Sequence, residues 1–113
     1  YILLDFWSSN CGPCRMENPN LLRNYKAYKD QGFEILCVCL DKNKADWSKT
    51  VKNDSMIWTT VSDLQSFYGE VPLTYHVYFI PTYYLIDPDG VIIEIIKGRG
   101  QLDESIHKLF ADN

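Results

Sequence analysis

Apolar residues recur along this chain in two rhythms. Tyr1 to Trp7 (YILLDFW) and Phe33 to Leu40 (FEILCVCL) are short, nearly continuous apolar runs. Runs of that length and continuity predict strands buried on both faces, as in parallel sheets. Between them Met16, Leu21, Leu22, Tyr25 and Tyr28 follow helical spacing, which predicts a long helix from about Gly12 to Asp30. Ser8, Ser9 and Asn10 are suited to start it and Gly32 to stop it, while Pro19 falls inside and predicts a kink.

Later segments are shorter. Trp47 and Val51 stand four apart and predict a helix from Ala45 to Asn53; Met56 to Val61 reads as extended without a clear period. Asp63 to Tyr68 and Pro72 to His76 read as short helical pieces. Thr82 to Asp87 and Val91 to Ile96 are apolar runs joined by Pro88-Asp89-Gly90, a hairpin signal. Ile106, Leu109 and Phe110 then share one face of a helix from Asp103 to Ala111. The order is β-α-β-α-(α)-β-β-α. A strand, long helix and strand imply a right-handed crossover with the first two strands parallel, and the closing hairpin supplies antiparallel strands. The expected architecture is α/β, a mixed sheet of about four strands flanked by helices.

At 113 residues the chain makes one domain with room for a core that needs no metal or disulfide staple. A net charge of -4 and a pI near 5.0 argue against nucleic acid or an anionic membrane surface as partner. No apolar stretch approaches the roughly 20 residues that cross a bilayer. The chain begins at Tyr1, inside an apolar run, which reads as a fragment of a longer precursor whose address and any membrane anchor lie before it.

The chemistry concentrates in Trp7 to Pro19 (WSSNCGPCRMENP). Cys11 falls where a buried strand ends and a helix begins, so its sulfur meets unpaired backbone N–H groups and the positive end of the helix dipole, both of which favour a thiolate. Cys14 follows one turn later, within reach of a mixed disulfide formed at Cys11. Pro13 stiffens the turn and Gly12 keeps bulk away from the exposed sulfur. Asp5, six residues before Cys11 in an otherwise apolar strand, is expected to have a raised pKa and could accept the proton of Cys14, directly or through water; the plainer reading is a carboxylate satisfied by backbone donors. Ile80-Pro81-Thr82 precedes the hairpin, and base rates alone make that proline trans.

Cys37 and Cys39 alternate with Leu36, Val38 and Leu40, so both sulfurs point to one face of the sheet and read as packing. The rival is a zinc site of all four cysteines, but two thiols in mid-strand and two at the sheet's end converge poorly. His76 and His107 lack companions at metal spacing. Lys42, Lys44, Lys49 and Lys52 read as a solvated face, and most of Trp47, Trp58 and tyrosines 75, 78, 83 and 84 as core.

The stretch WSSNCGPCRMENP resembles the thioredoxin superfamily, with Trp7, Cys11, Gly12, Pro13, Cys14 and Pro19 at the family spacing and Asp5 at its buried acid. Cys14-Arg15-Met16-Glu17-Asn18-Pro19 resembles the C-R-x-E-x-P of the TlpA/ResA-like branch, grouped with AhpC/TSA. Tyr75-His76-Val77, Ile80-Pro81-Thr82, Leu85-Ile86-Asp87 and Gly90 follow the same branch's Y-G-V, P-T, L-I-D and G. The resemblance implies a thioredoxin fold, Pro81 cis against Cys11, Ile80 pairing through its backbone with an extended substrate, and Trp7 beside the cysteines. It implies a thiol-disulfide oxidoreductase reducing protein disulfides in the periplasm or another extracytoplasmic space, supplied by an upstream dithiol donor. The redox-active Cys11–Cys14 pair then replaces any cofactor, and no metal is expected. An acidic residue after the second strand tunes the cysteines in that branch; Asp41 is the nearest match, and a solvated strand end is the plainer reading. Asn10 stands where the family has an aromatic residue and His76 where it has glycine, and the branch's leading β-hairpin has no counterpart here.

Two other functions compete with this one. A thiol peroxidase of the AhpC/TSA group needs a P-x-x-x-T-x-x-C run on the first helix, which is absent. A non-catalytic interaction module would keep a static disulfide and tolerate Cys11→Ser.

Overall fold

The computed structural model describes residues 1–97 and 100–111. Its elements are β1 (Ile2–Trp7), α1 (Gly12–Tyr28), β2 (Glu34–Cys39), α2 (Lys44–Asn53), β3 (Thr59–Val61), α3 (Glu70–Thr74), β4 (Thr82–Ile86), β5 (Ile92–Lys97) and α4 (Leu102–Phe110). The sheet runs β3-β2-β1-β4-β5. β1 is its centre, parallel to β2 and antiparallel to β4, which explains its apolar continuity: both faces and both edges are covered.

One face of the sheet presents Leu3, Trp7, Cys37, Cys39, Tyr83, Leu85 and Ile96, and packs against Cys14 and Leu21 of α1 and Leu102 and Ile106 of α4. The other presents Leu4, Phe6, Val38, Leu40 and Tyr84 to Val77 and the half-buried Phe67 and Tyr75. Helix α1 passes through Pro19 without interruption, continues as a 3-10 turn over Lys29–Gln31, and stops at Gly32, whose φ of 90° lies in the left-handed region that glycine adopts freely. At the hairpin, Asp87 Oδ1 accepts N–H bonds from Asp89 and Val91 and fixes the turn that Gly90 completes.

The structure corrects three expectations. The sheet has five strands rather than about four, because Thr59–Val61 pairs in parallel with β2. Residues 63–68 hold only a 3-10 turn over Ser66–Tyr68, since Leu64 and Ser66 sit at φ 61° and 56°, which no right-handed helix accommodates. Helix α3 starts two residues earlier than predicted and ends before His76, whose φ is 57°.

Candidate functional site

Cys11 is the N-cap of α1: its backbone is extended, and its sulfur accepts the N–H of Cys14 at 3.2 Å. The end of β1 delivers it there through a tight loop in which Ser8 C=O accepts the N–H of Cys11 and Ser8 Oγ donates to Asn10 Oδ1. The loop is pinned from β2, as Ser9 N–H donates to Asp41 Oδ1 at 2.9 Å. Asp41 is therefore a buried brace beneath the active loop rather than a solvated strand end.

Cys11 and Cys14 form a disulfide. Their surroundings are unequal: Cys11 is half-buried and is followed by exposed Gly12 and Pro13, whereas Cys14 is 3% exposed within the core. Cys11 is thus the more accessible of the two. The Ile80–Pro81 bond is cis, reversing the base-rate expectation, and Pro81 is buried. Ile80 and the Ser8–Asn10 loop line one groove of about 420 Å³ together with Asp41 and Phe67. Trp7 is buried in the core cluster that holds Cys14, so it backs the cysteines from below and offers a partner almost no surface.

Asp5 is 2% exposed, in mid-strand. Its Oδ2 accepts the thiol of Cys37 at 3.2 Å, and among the described residues its Oδ1 has no hydrogen-bond partner. Burial pushes the carboxyl up to about 7; the Cys37 hydrogen bond opposes this and the nearby Glu17 charge adds to it. The expectation of backbone donors is not met at either oxygen. Cys37 also accepts the Trp58 indole N–H at 3.0 Å, so its role is more than packing. Burial, then the Asp5 charge, drives the Cys37 thiol well above its ordinary value, and burial drives Cys39 up to about 12. Neither is a nucleophile at neutral pH.

An anchor that no local sequence pattern marks stands behind the site. Arg15 grips Asp54 with two bonds, Nε–Oδ2 2.9 Å and Nη2–Oδ1 2.8 Å, and Asn18 Nδ2 adds a third at 2.9 Å. These bonds hold Asp54 below the usual carboxylate range and tie the first turns of α1 to the end of α2. Arg15 and Asn18 lie within the motif, but nothing local marked Asp54 as their partner.

The AhpC/TSA sequence model matches residues 1–95. The chain belongs to the AhpC/TSA family. Within it the chain is a TlpA/ResA-like member of the thioredoxin superfamily. It is 34% identical over 111 residues to the thiol-disulfide oxidoreductase ResA of Bacillus thuringiensis subsp. konkukian, covering 96% of this chain and 62% of that protein. Against ResA of Bacillus subtilis it is 31% identical over 97 residues, covering 86% and 52%. The chain thus spans somewhat more than half the length of these relatives. The thioredoxin domain of a thiol-disulfide oxidoreductase from Bacteroides vulgatus superposes with a TM-score of 0.86 at 33% identity, over 96% of this chain and 77% of that one. A thiol-disulfide oxidoreductase from Bacteroides fragilis does so with 0.86 at 32%, over 97% and 81%.

Among the described residues no group of three or more His, Cys, Asp or Glu side chains is arranged to hold a metal ion, and no helix is long and apolar enough to cross a membrane. His76 and His107 are both exposed, His76 within 3.3 Å of the Tyr78 hydroxyl and His107 edge-on to Tyr28.

Proposed function

We propose that this protein is a thiol-disulfide oxidoreductase that reduces protein disulfides outside the cytoplasm. The observation that carries the reading is the unequal exposure of a disulfide at a helix N-terminus, with Cys11 open and Cys14 in the core.

In the reduced enzyme the Cys11 thiolate, favoured by the helix N-terminus, attacks one sulfur of a substrate disulfide. The Cys11–substrate bond forms, the substrate S–S bond breaks, and the departing thiolate takes a proton from solvent. Cys14 then gives its proton to Asp5, directly or through water, and attacks Cys11. The Cys11–Cys14 bond forms, the mixed disulfide breaks, and the second substrate thiolate leaves to be protonated. Two electrons have moved from the dithiol to the substrate, and an upstream dithiol donor restores the pair. Asp5 suits the proton transfer because a carboxyl near 7 accepts and releases protons at working pH. Ile80, held before cis-Pro81, pairs through its backbone with an extended substrate segment, with Gly12 and Pro13 leaving access to the sulfur; Trp7 holds that surface from beneath.

A redox titration of the pair against glutathione and dithiothreitol, read by mass after alkylation, tests this. A strongly reducing potential is expected. An oxidising potential would make the protein a disulfide donor or isomerase, and a pair that never interconverts would refute the reading. Peroxide consumption by the protein alone would instead place it with the thiol peroxidases.

A further inference from the structure

The buried carboxylate of Asp5 is not held by the backbone. It is held by a two-step chain of side chains: Trp58 Nε1–H donates to Cys37 Sγ at 3.0 Å, and Cys37 S–H donates to Asp5 Oδ2 at 3.2 Å. All three residues are within the core, at 5%, 0% and 2% exposure. Parallel pairing of β1 and β2 sets Cys37 directly beside Asp5. With the indole occupying an acceptor site on the sulfur, the thiol proton is directed at the carboxylate. Among the described residues Oδ1 has no hydrogen-bond partner, which leaves an oxygen of the carboxylate to receive a proton.

We propose that Cys37 and Trp58 are positioning residues for Asp5: the indole orients the thiol, and the thiol's weak hydrogen bond sets how readily the carboxylate takes the proton of the resolving cysteine. The inference rests on the reading of Asp5 as that proton's acceptor. Its physical basis is the strength of the donor. A thiol is a weak donor, so it stabilises the ionised carboxylate only in part. With no donor, burial would leave Asp5 protonated well above neutral pH and unable to accept; with a hydroxyl, the carboxylate would be held too firmly to accept. Among the described residues the charged and titratable groups around Asp5 are Glu17 from α1, Cys37 and Cys39 from β2, and Tyr83, its register partner on β4, with Cys14 of α1 in the core cluster on the same side of the sheet. From α4 the buried neighbours in that cluster are Leu102 and Ile106. Cys37 is the group that hydrogen bonds Oδ2.

Carbon-13 NMR of aspartate carboxyls in the reduced protein, with the Asp5 signal assigned by its loss in Asp5→Asn, reads the effect with no reaction running. Cys37→Ala should move the Asp5 midpoint upward by about one pH unit, and Trp58→Phe should move it upward by less. Cys37→Ser, which keeps the size and supplies a stronger donor, should move it downward. Rapid mixing of reduced protein with oxidised glutathione, acid-quenched and weighed, gives the pH profile of mixed-disulfide resolution, which should shift with the carboxyl in each variant. Midpoints equal to wild type in folded Cys37→Ala and Cys37→Ser would overturn the proposal, since packing alone would alter stability without moving them. Carboxyl midpoints that move while Asp5→Asn resolves glutathione at the wild-type rate would instead remove Asp5 from the proton path, and the catalytic part of the proposal with it.

Discussion

Replacing Asp5 with asparagine should make the protein more stable, and increasingly so as pH rises. In the unfolded chain this carboxyl ionises near its ordinary 3.8; in the folded protein burial holds it at about 7. Below the lower value it is protonated in both states and contributes no penalty. Between the two only the unfolded chain releases the proton, so stability falls as pH rises. Above the upper value both states are ionised and the full penalty remains, about 4 kcal/mol at 1.36 kcal/mol per pH unit. Asparagine keeps the shape and a carbonyl acceptor for Cys37 without a charge to desolvate. Urea unfolding of the oxidised wild type and variant at about pH 5 and about pH 8.5 spans most of the interval, so the variant's advantage should grow by roughly 2–3 kcal/mol between them. A difference that does not change with pH would refute the reasoning, because it would mean that Asp5 has the same proton affinity folded and unfolded. The same variant should slow resolution of the mixed disulfide by about 100-fold or more at neutral pH. Stability and rate would then move in opposite directions at one residue, as expected where a site holds a charge in an unfavourable place.

Cys14→Ser should trap substrate on Cys11 as a mixed disulfide detectable by mass, and Cys11→Ser should trap none; equal trapping would contradict the assignment of attacker and resolver. His76→Gly should raise stability by about 1 kcal/mol, because glycine adopts a φ of 57° without the Cβ clash, and thermal unfolding reads this directly. Arg15→Ala should cost at most about 1 kcal/mol at neutral pH, since Arg15 is 40% exposed. Because the pair lowers the Asp54 carboxyl, that stabilisation is complete above its ordinary range and is lost as pH falls through the folded value. The two proteins should therefore converge in acid.

The parts of the fold that declared themselves in sequence did so through local pattern. The continuous apolar runs of β1 and β2, the helical spacing of α1, the Pro88-Asp89-Gly90 turn and the paired cysteines each need only neighbouring residues to be recognised. β3 is Thr-Thr-Val, too short to show a period, and becomes a strand because β2 offers it an edge. The isomer of Pro81 depends on surrounding structure that base rates ignore. The contact between Asp5 and Cys37 depends on register across 32 residues. A one-residue slip would put the thiol on the opposite face, and no local feature of either strand encodes that alignment. Trp58 is further still, in the approach to an unrecognised strand. The alternation within its own strand indicates only packing for Cys37.

Burial divides the four cysteines into one that meets the outside and three that do not. Cys14, Cys37 and Cys39 are each at most 3% exposed, and the latter two hold their protons far above neutral pH. A thiol-counting reagent applied to the reduced native protein should register Cys11 quickly and the rest on the timescale of opening or unfolding. Exchange at Cys11 would therefore leave the buried sulfurs of Cys37 and Cys39 unscrambled, and a fluorophore or affinity tag carrying a thiol-reactive group should go to a single known address.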